Sequence, residues 1–551
     1  MIKNLFIKAL CGSILCFFTF FPCSAQQEFD YLDVNNVKAY INPLHLFFNN
    51  GAAAFEVPKN SGKTTIFTSN LWLGGKTESG NVCVAAQTYC QQGKRDFWLG
   101  PIRTSDASFD PTEEYIQKYN HTWKVSREEI NYHRAHYADP GYEMPWGIAN
   151  WPAYSGAELG EIISLAPYKD VNGDGIYNPL QGDYPIIRGD QAVFFIMNDK
   201  GGPHTESGGM PIGVEILGMA YAFNSPDTML QNTIFLSYEL RNKGYNTLYD
   251  FYFGFWTNFA IGYAWDDYMG CDTSLNLAYG YNGMEIDGNG QPEAYGLNPP
   301  AQGVMFLNQK MSTFMYHGND ASVTGFPQSA MDYYNYLRAI WRDGRLLTYG
   351  GSGYDFNATC ITNYMWSGKY SGEWWNGSCI PSQYHETGWS EEFPNGAGSP
   401  QSNIPDNRRG IMSAGPFTFS NSESIKIDIA LPFARTEKGK GKNSLEALAL
   451  LKQMALEVQE YYDENIVGIK ENKYSFEKLM IYPNPSNGQF TVASEKVIEC
   501  IELYNVLGKK VFVDTPKAQT TQITTHLPQG FYIYRAVLQC GSVSSGKIIV
   551  Q

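Results

Sequence analysis

The sequence predicts a mainly β protein: a large β-sandwich-type region, one long helix near its end, and then a small Ig-like β-sandwich. Three observations predict it. Of the 551 residues, 15% are aromatic and only 17% charged, with 54 Gly, 38 Tyr and 12 Trp; this is the composition of an extracellular β protein. Apolar residues recur in short runs parted by Gly, Pro, Asn and Asp turn signals. One stretch alone, 443–464, keeps an apolar face at helical spacing.

Residues 1–25 hold Lys3 and Lys8, then an apolar run through Leu15 and Phe21, then Cys23-Ser24-Ala25. A basic start, a short apolar core and small residues before a cut describe a secretory signal peptide. The run is too short for a stable span. The bulky Phe20-Phe21-Pro22 before Cys23 argue against a lipoprotein anchor. No other segment is apolar for long enough to span a bilayer. Residues 26–465 then form the main β-rich region, large enough for two lobes. Residues 466–473 are a linker, and 474–551 the small sandwich.

The net charge is −15, and −17 once the two lysines of 1–25 are removed. A phosphate backbone needs a basic stripe, and none is present, so nucleic acid is excluded as a partner. The acidic balance suits solubility and divalent cations. Of ten cysteines, seven lie beyond residue 25. Cys83 with Cys90 and Cys360 with Cys379 are the closest pairs, and either pair would staple a loop. Cys500 and Cys540 sit near strands of the small sandwich, and Cys271 is left over. None has Cys-x-x-Cys spacing.

Strand-like runs open the main region at 53–57, 65–67, 71–75 and 82–89. Ser61-Gly62-Lys63-Thr64 resembles the end of a phosphate loop, but the earlier glycine is Val57 and a strand follows, so nucleotide binding is not read here. The segment 113–137 is polar and helical in pattern. Its His133 and His136 share a helical face, where Glu128 or Asp139 would complete a metal set; a packed or capping role fits them better.

The motif with most chemistry runs from Asp170 to Pro185. Asp170, Asn172 and Asp174 are followed by Gly175, so oxygen ligands stand at loop positions one, three and five with glycine at six. That is the front of an EF-hand-type calcium loop. The Ile176 carbonyl is the seventh-position ligand. At position twelve Gln181 replaces the usual Glu, and Asp183, two residues on, supplies that carboxylate. Pro179 opposes a regular exiting helix. The expectation is a structural Ca2+ loop in a β setting, with an Asx turn stabilised by its own side chains as the alternative.

From 191 to 314 the chain reads as antiparallel strands, at 192–197, 214–223, 233–240 and 249–256. In 443–464, Asn443 caps and Glu446 follows three later; Leu445, Leu448, Leu451, Ala455, Val458 and Tyr462 form the apolar face. The tail offers strands at 490–492, 501–505, 510–513, 531–537 and 547–550.

The tail residues Tyr482-Pro483-Asn484-Pro485, Asn487-Gly488, Leu503-Tyr504-Asn505-Val506-Leu507-Gly508, Leu527-Pro528, Gly530, Tyr532 and Gly546-Lys547-Ile548-Ile549-Val550 resemble the C-terminal (type A) sorting domain of Bacteroidetes type IX secretion cargo. The resemblance implies that the secretion machinery is a partner. It also implies export across the outer membrane and removal of the domain, with release or attachment to surface lipopolysaccharide. A second resemblance covers most of 33–463. Asp266-Asp267-Tyr268-Met269-Gly270-Cys271-Asp272, Leu275-Asn276-Leu277-Ala278-Tyr279-Gly280-Tyr281-Asn282, Trp341, Asp343-Gly344 and Arg408-Arg409 look like a recurrent module of such cargo, one without an assigned activity. Where that module shows W-x-D-x-D-x-G, this chain has Trp256 to Gly262 with two carboxylates missing. That weakens a second metal site around Asp266, Asp267 and Asp272.

No G-x-S-x-G elbow is present. A glycosidase carboxylate pair comes from distant positions and is not readable locally. Cys271 beside Asp272 lacks a recognisable histidine partner. Trp374-Trp375 suit either sugar stacking or a core. The sequence leans away from an enzyme and toward a secreted or cell-surface structural, adhesive or binding protein. A carbohydrate-binding protein or a glycan or peptide hydrolase is the alternative.

Overall fold

The computed structural model describes residues 29–103, 108, 112–154, 164–348, 353–354, 361–365, 405–437, 444–466, 479–505, 509–539 and 543–551. The expected signal peptide, the Cys360–Cys379 pair, Cys540 and Trp374-Trp375 lie outside them. The described residues fall into two compact units, one up to Gln459 and one from Glu460.

The larger unit packs two antiparallel sheets face to face. The first carries, in spatial order, Asp30–Leu32, Lys38–Ile41, Phe55–Glu56, Thr64–Lys76, Leu248–Phe259, Arg409–Phe419 and Thr313–His317, with Val82–Ala86 paired to Thr64–Lys76. The second runs Asp267–Asp272, Leu277–Asn282, Ala301–Phe306, Ser424–Ala434, Thr233–Asn242, Val214–Ala222, Gln191–Asn198 and Trp98–Leu99, with Trp123–Ser126 also paired to Gln191–Asn198. Strand Val214–Ala222 is buried at every position, as expected of a strand covered on both faces. One core joins the sheets: Tyr238 of the second meets Phe253 of the first at 6.1 Å, and Phe253 meets Phe306 at 5.9 Å.

The four strands read between 191 and 314 appear as Gln191–Asn198, Val214–Ala222, Thr233–Asn242 and Leu248–Phe259. The polar segment 113–137 is not one helix. It divides into Glu113–Tyr119 and Arg127–His136 around strand Trp123–Ser126. Ser126 and Glu129 cap the second helix reciprocally, which fixes where the strand must end. The long helix is Ser444–Tyr461, running into a π turn over Tyr462–Ile466; its buried positions include Leu448, Leu451, Ala455 and Val458. It lies against the second sheet, where Lys452 pairs with Asp272 at 3.0 Å and Gln459 donates to the Leu307 carbonyl at 3.1 Å.

The expected Cys83–Cys90 staple is absent: both are thiols. Cys83 points into the core from its strand, where burial pushes its thiol up to about 11. Cys90 lies beyond the strand in a left-handed turn at φ 54°. Lys63 of the phosphate-loop-like stretch donates to the carbonyls of Pro292 (3.2 Å) and Ala294.

In the second unit one long strand, Gln489–Tyr504, does most of the pairing. Its first half pairs with Met480–Tyr482 and Ala518–Thr524, its second with Lys510–Asp514 and Gly530–Leu538, which also pairs Val543–Val550. Register shifts between Ala493 and Ile498 mark the bend between halves. Phe490, Val492, Ile501, Leu503, Ala536 and Ile548 fill a core of its own.

One buried polar cluster organises the edge of the larger unit. His204 is enclosed, with Nδ1 2.7 Å from the Val84 carbonyl and Nε2 2.8 Å from the Asp199 carbonyl. Both acceptors are carbonyl oxygens, so each ring nitrogen is placed to donate. Carboxylates flank it, Asp96 at 3.6 Å and Asp199 at 3.8 Å. Removing the ring leaves two buried carbonyls and the carboxyls beside it without their partner. His204→Ala should therefore destabilise the larger unit by about 3–5 kcal/mol. The check is a lower urea midpoint for that unit's transition at unchanged slope.

Candidate functional site

One recess of the larger unit is an open cleft of about 860 Å³, within the range of small-ligand sites. Hairpin Phe48–Asn49 and Ala52–Ala53, strand Thr64–Lys76, the segment after Val82–Ala86, the loop holding Glu206, the loop around Asp320, helix Ala330–Tyr336 and the start of Arg409–Phe419 all contribute.

Two polar pairs face it. Tyr89 Oη accepts from Arg409 Nε at 2.7 Å and from Asn258 Nδ2 at 3.0 Å. Burial raises the Tyr89 hydroxyl, with Arg409 opposing. In the second pair, Glu206 Oε1 accepts from Tyr333 Oη at 3.3 Å and from the Thr88 hydroxyl. Burial raises the Glu206 carboxyl above its usual range. Asp320 is exposed and accepts from the Ser322 hydroxyl and amide at 2.6 and 2.9 Å, which hold its carboxyl below the usual range.

An aromatic layer supports these groups. Trp72 stacks on Trp256 at 6.0 Å and meets Tyr333 edge-on at 4.6 Å; Tyr89 meets Trp256 edge-on at 5.2 Å. Trp256 Nε1 donates to His317 Nε2 at 3.1 Å, while His317 Nδ1 donates to the Gly318 carbonyl at 2.8 Å. Burial lowers His317 to about 3, so it remains neutral. The helix bearing Tyr333 lies directly on the sheet. A side chain at Gly254 would put its Cβ 2.3 Å from Leu337, and one at Gly74 2.8 Å from Tyr334.

The sequence singled out none of Tyr89, Glu206, Asp320 or Arg409 as a site residue. Tyr89 and Arg409 are 320 residues apart, and Glu206 and Tyr333 are 127 apart. No local spacing announces such pairs.

Asp170, Asn172, Asp174 and Asp183, the side chains expected to hold calcium, each accept from backbone amides of the segment 170–183. Asp170 accepts from the amides of Gly173 and Gly175 at 2.7 and 2.8 Å, which hold its carboxyl low. Asn172 Oδ1 accepts from the Asp174 amide at 3.0 Å, and Asp174 from the Ile176 amide at 2.8 Å. Asp183 is fully buried and accepts from the amides of Val171 and Asn178, each at 2.8 Å. Gly173 and Gly175 take φ of 79° and 77°, which the reversals require. Among the described residues, no group of three or more His, Cys, Asp and Glu side chains converges at metal-holding distance.

The histidine pair divides. His133 is buried between the Tyr142 hydroxyl and the Asp183 carbonyl, at 3.1 and 3.0 Å. His136 pairs with Asp139 at 2.7 Å in solvent. Cys271 donates to the Met365 carbonyl at 3.3 Å. Around Asp266 and Asp267, the latter is buried and accepts from the Ile261 amide at 2.8 Å, and burial raises it strongly.

Residues 480–551 match the family described as the secretion system C-terminal sorting domain. The chain is thus type IX secretion cargo, exported to the cell surface or the extracellular space and engaged by that machinery. Among the described residues no helix is long and apolar enough to cross a membrane. No curated protein matches the chain. Among solved structures, CopC from Methylosinus trichosporium OB3b aligns at TM-score 0.11 and 15% identity, over 13% of this chain and 89% of that one. A polysaccharide lyase aligns at TM-score 0.19 and 9% identity, over 61% of this chain and 34% of that one. The chain thus spans about a third of the lyase's length.

Glu206 gives the cleft a pH signature. Its carboxyl is raised in the fold above the ordinary 4.5. The stability it contributes is complete below about pH 4.5 and is lost as pH rises through the folded value. Glu206→Gln stays neutral throughout. Denaturation midpoints taken at a series of pH values should fall more steeply for the wild type than for the variant across that window.

Proposed function

We propose that the larger unit is a calcium-stiffened binding protein of the cell surface, and that it holds its ligand in the Glu206–Arg409 cleft. The observation that carries this reading is a recess whose polar groups are fixed before any ligand arrives. Arg409 is locked onto Tyr89, and Glu206 is held by two hydroxyls. Preformed groups on sheet strands lose little entropy on binding. Arg409 and the exposed Lys94 offer donors to an anionic group, while Glu206 and Asp320 accept from hydroxyls. The ligand this suits is an acidic, hydroxyl-rich glycan, such as the sugar portion of surface lipopolysaccharide.

A second reading has its own observation. Glu206 is raised and Asp320 lowered, and carboxyls pushed in opposite directions suit acid and base roles in glycoside cleavage. Incubating the purified protein with lipopolysaccharide and with alginate separates the two. Binding without new reducing ends, weakened about tenfold or more by Lys94→Ala or Arg409→Ala, is the outcome expected. Reducing ends that disappear with Glu206→Gln would replace binding by hydrolysis.

The calcium assignment rests on the spacing of Asp170, Asn172, Asp174 and Asp183 and on a loop already turned by its glycines. The Ile176 carbonyl belongs to the same set. A weak extracellular site, with Kd on the order of 10⁻⁴–10⁻³ M, suffices. At tenfold to hundredfold excess it stabilises the fold by about 1–3 kcal/mol. Chelation should lower the melting temperature of the wild type and leave Asp174→Ala unaffected. Asp174 is exposed, so the variant keeps its fold. Equal melting with and without chelator in the wild type would reduce the loop to an Asx turn.

A further inference from the structure

A second recess, of about 490 Å³, shares no lining residue with the cleft. Its walls are mainly rings: Trp123, Trp146, Trp151, Tyr154, Tyr177 and His121. Trp146 protrudes, 53% exposed, from the helical turn Trp146–Ala149. His121 stands edge-on to Trp123 at 4.6 Å and to Trp146 at 4.9 Å, so one small ring joins the floor to the mouth.

Several of these rings have their polar ends engaged elsewhere. Trp151 donates to the Pro167 carbonyl at 3.0 Å, Tyr154 to the Gly175 carbonyl at 2.9 Å, and Tyr177 to the Ile148 carbonyl at 2.6 Å. They serve as walls. Trp123 differs: it is 2% exposed, and its buried indole N–H has no hydrogen-bond partner. Burial lowers His121, which keeps the imidazole neutral. Asn150 donates to the Trp146 carbonyl at 3.0 Å, leaving its Oδ1 as an acceptor at the edge.

We propose that this recess binds a neutral sugar unit of a glycan, one face stacked on Trp146 and its hydroxyls at the polar edge beside Asn150. The requirements select that class. The Asn150 amide oxygen at the edge calls for a hydroxyl donor, which an alkyl chain lacks. An aromatic wall calls for an apolar face, which a pyranose ring presents through its C–H groups. The lining holds one charged side chain, Lys118, which lies over the Tyr119 ring at 5.3 Å. A proline-rich peptide docks across exposed aromatic ridges, whereas here the rings converge on one recess and only Trp146 projects.

The inference does not rest on the cleft reading, and one experiment separates them. The intact protein is titrated, by calorimetry and tryptophan fluorescence, with cellohexaose, laminarihexaose, xylohexaose and maltohexaose. Trigalacturonate and decaproline serve as contrasting probes. At least one neutral hexasaccharide should bind and perturb the fluorescence. Trp146→Ala, an exposed position, should weaken it about tenfold or more. Glu206→Gln should leave it unchanged. The proposal is overturned if no neutral hexasaccharide binds at millimolar concentration, if Trp146→Ala has no effect, or if decaproline or trigalacturonate binds in preference. Binding lost in Glu206→Gln but kept in Trp146→Ala would assign the sugar to the cleft and overturn the recess alone.

Discussion

A buried histidine enclosed between two carboxyl groups fixes the rim on which the cleft is built. His204 ties the Val84 carbonyl of one strand to the Asp199 carbonyl that ends another. The carboxylates spread the restraint further. Asp199 accepts from the amides of Gly213 and Val214 at 2.8 and 2.7 Å, and Asp96 from those of Ala86 and Glu206 at 3.0 Å. Glu206 therefore takes its backbone position from this cluster. Satisfied buried networks of this kind specify one arrangement, because every alternative strands a charge or a donor.

The aromatic support of the cleft is set by packing. Trp72, Trp256, Tyr333 and His317 form one contiguous group, and only Trp72, Trp256 and His317 need polar partners beneath the surface. The helix bearing Tyr333 can approach only because Gly74 and Gly254 lack side chains where Tyr334 and Leu337 descend. A close-packed floor moves little. Thus Tyr333 and Tyr89 reach the cleft in fixed orientations, and the distances between donor and acceptor are properties of the fold.

The strands were legible where burial is two-sided or alternating. Val214–Ala222 and Thr233–Asn242 carry long apolar and β-branched runs, and the helix Ser444–Tyr461 keeps a 3.6-residue face. Strand Ala518–Thr524 was not read, because Gln519, Thr520, Thr521 and Gln522 give no apolar signal; its pairing with Gln489–Tyr504 supplies the order that composition does not. Strand Trp123–Ser126 escaped for a related reason, being four residues between two helices. The turns between Asp170 and Asp183 were legible because their Asp, Asn and Gly signals are local. The cleft was not, since its polar pairs join positions hundreds of residues apart. Their meeting follows from strand order, which short-range periodicity does not encode.

The two recesses divide the recognition problem by electrostatics. The cleft sets carboxyls against Arg409 and Lys94, so its selectivity depends on protonation and on the charge of what enters. The aromatic recess has a neutral imidazole and one charged side chain, Lys118, so it selects chiefly by shape. Its walls are tied to the loop through Tyr154 on the Gly175 carbonyl and through Tyr177 on the Ile148 carbonyl, within the same turn as Trp146. An ion that stiffens the loop would therefore hold the aromatic walls as well, without touching the ligand. That coupling needs no moving part. It follows from two hydroxyls that spend their hydrogen bonds on backbone carbonyls, one of them in the loop and one beneath the exposed tryptophan.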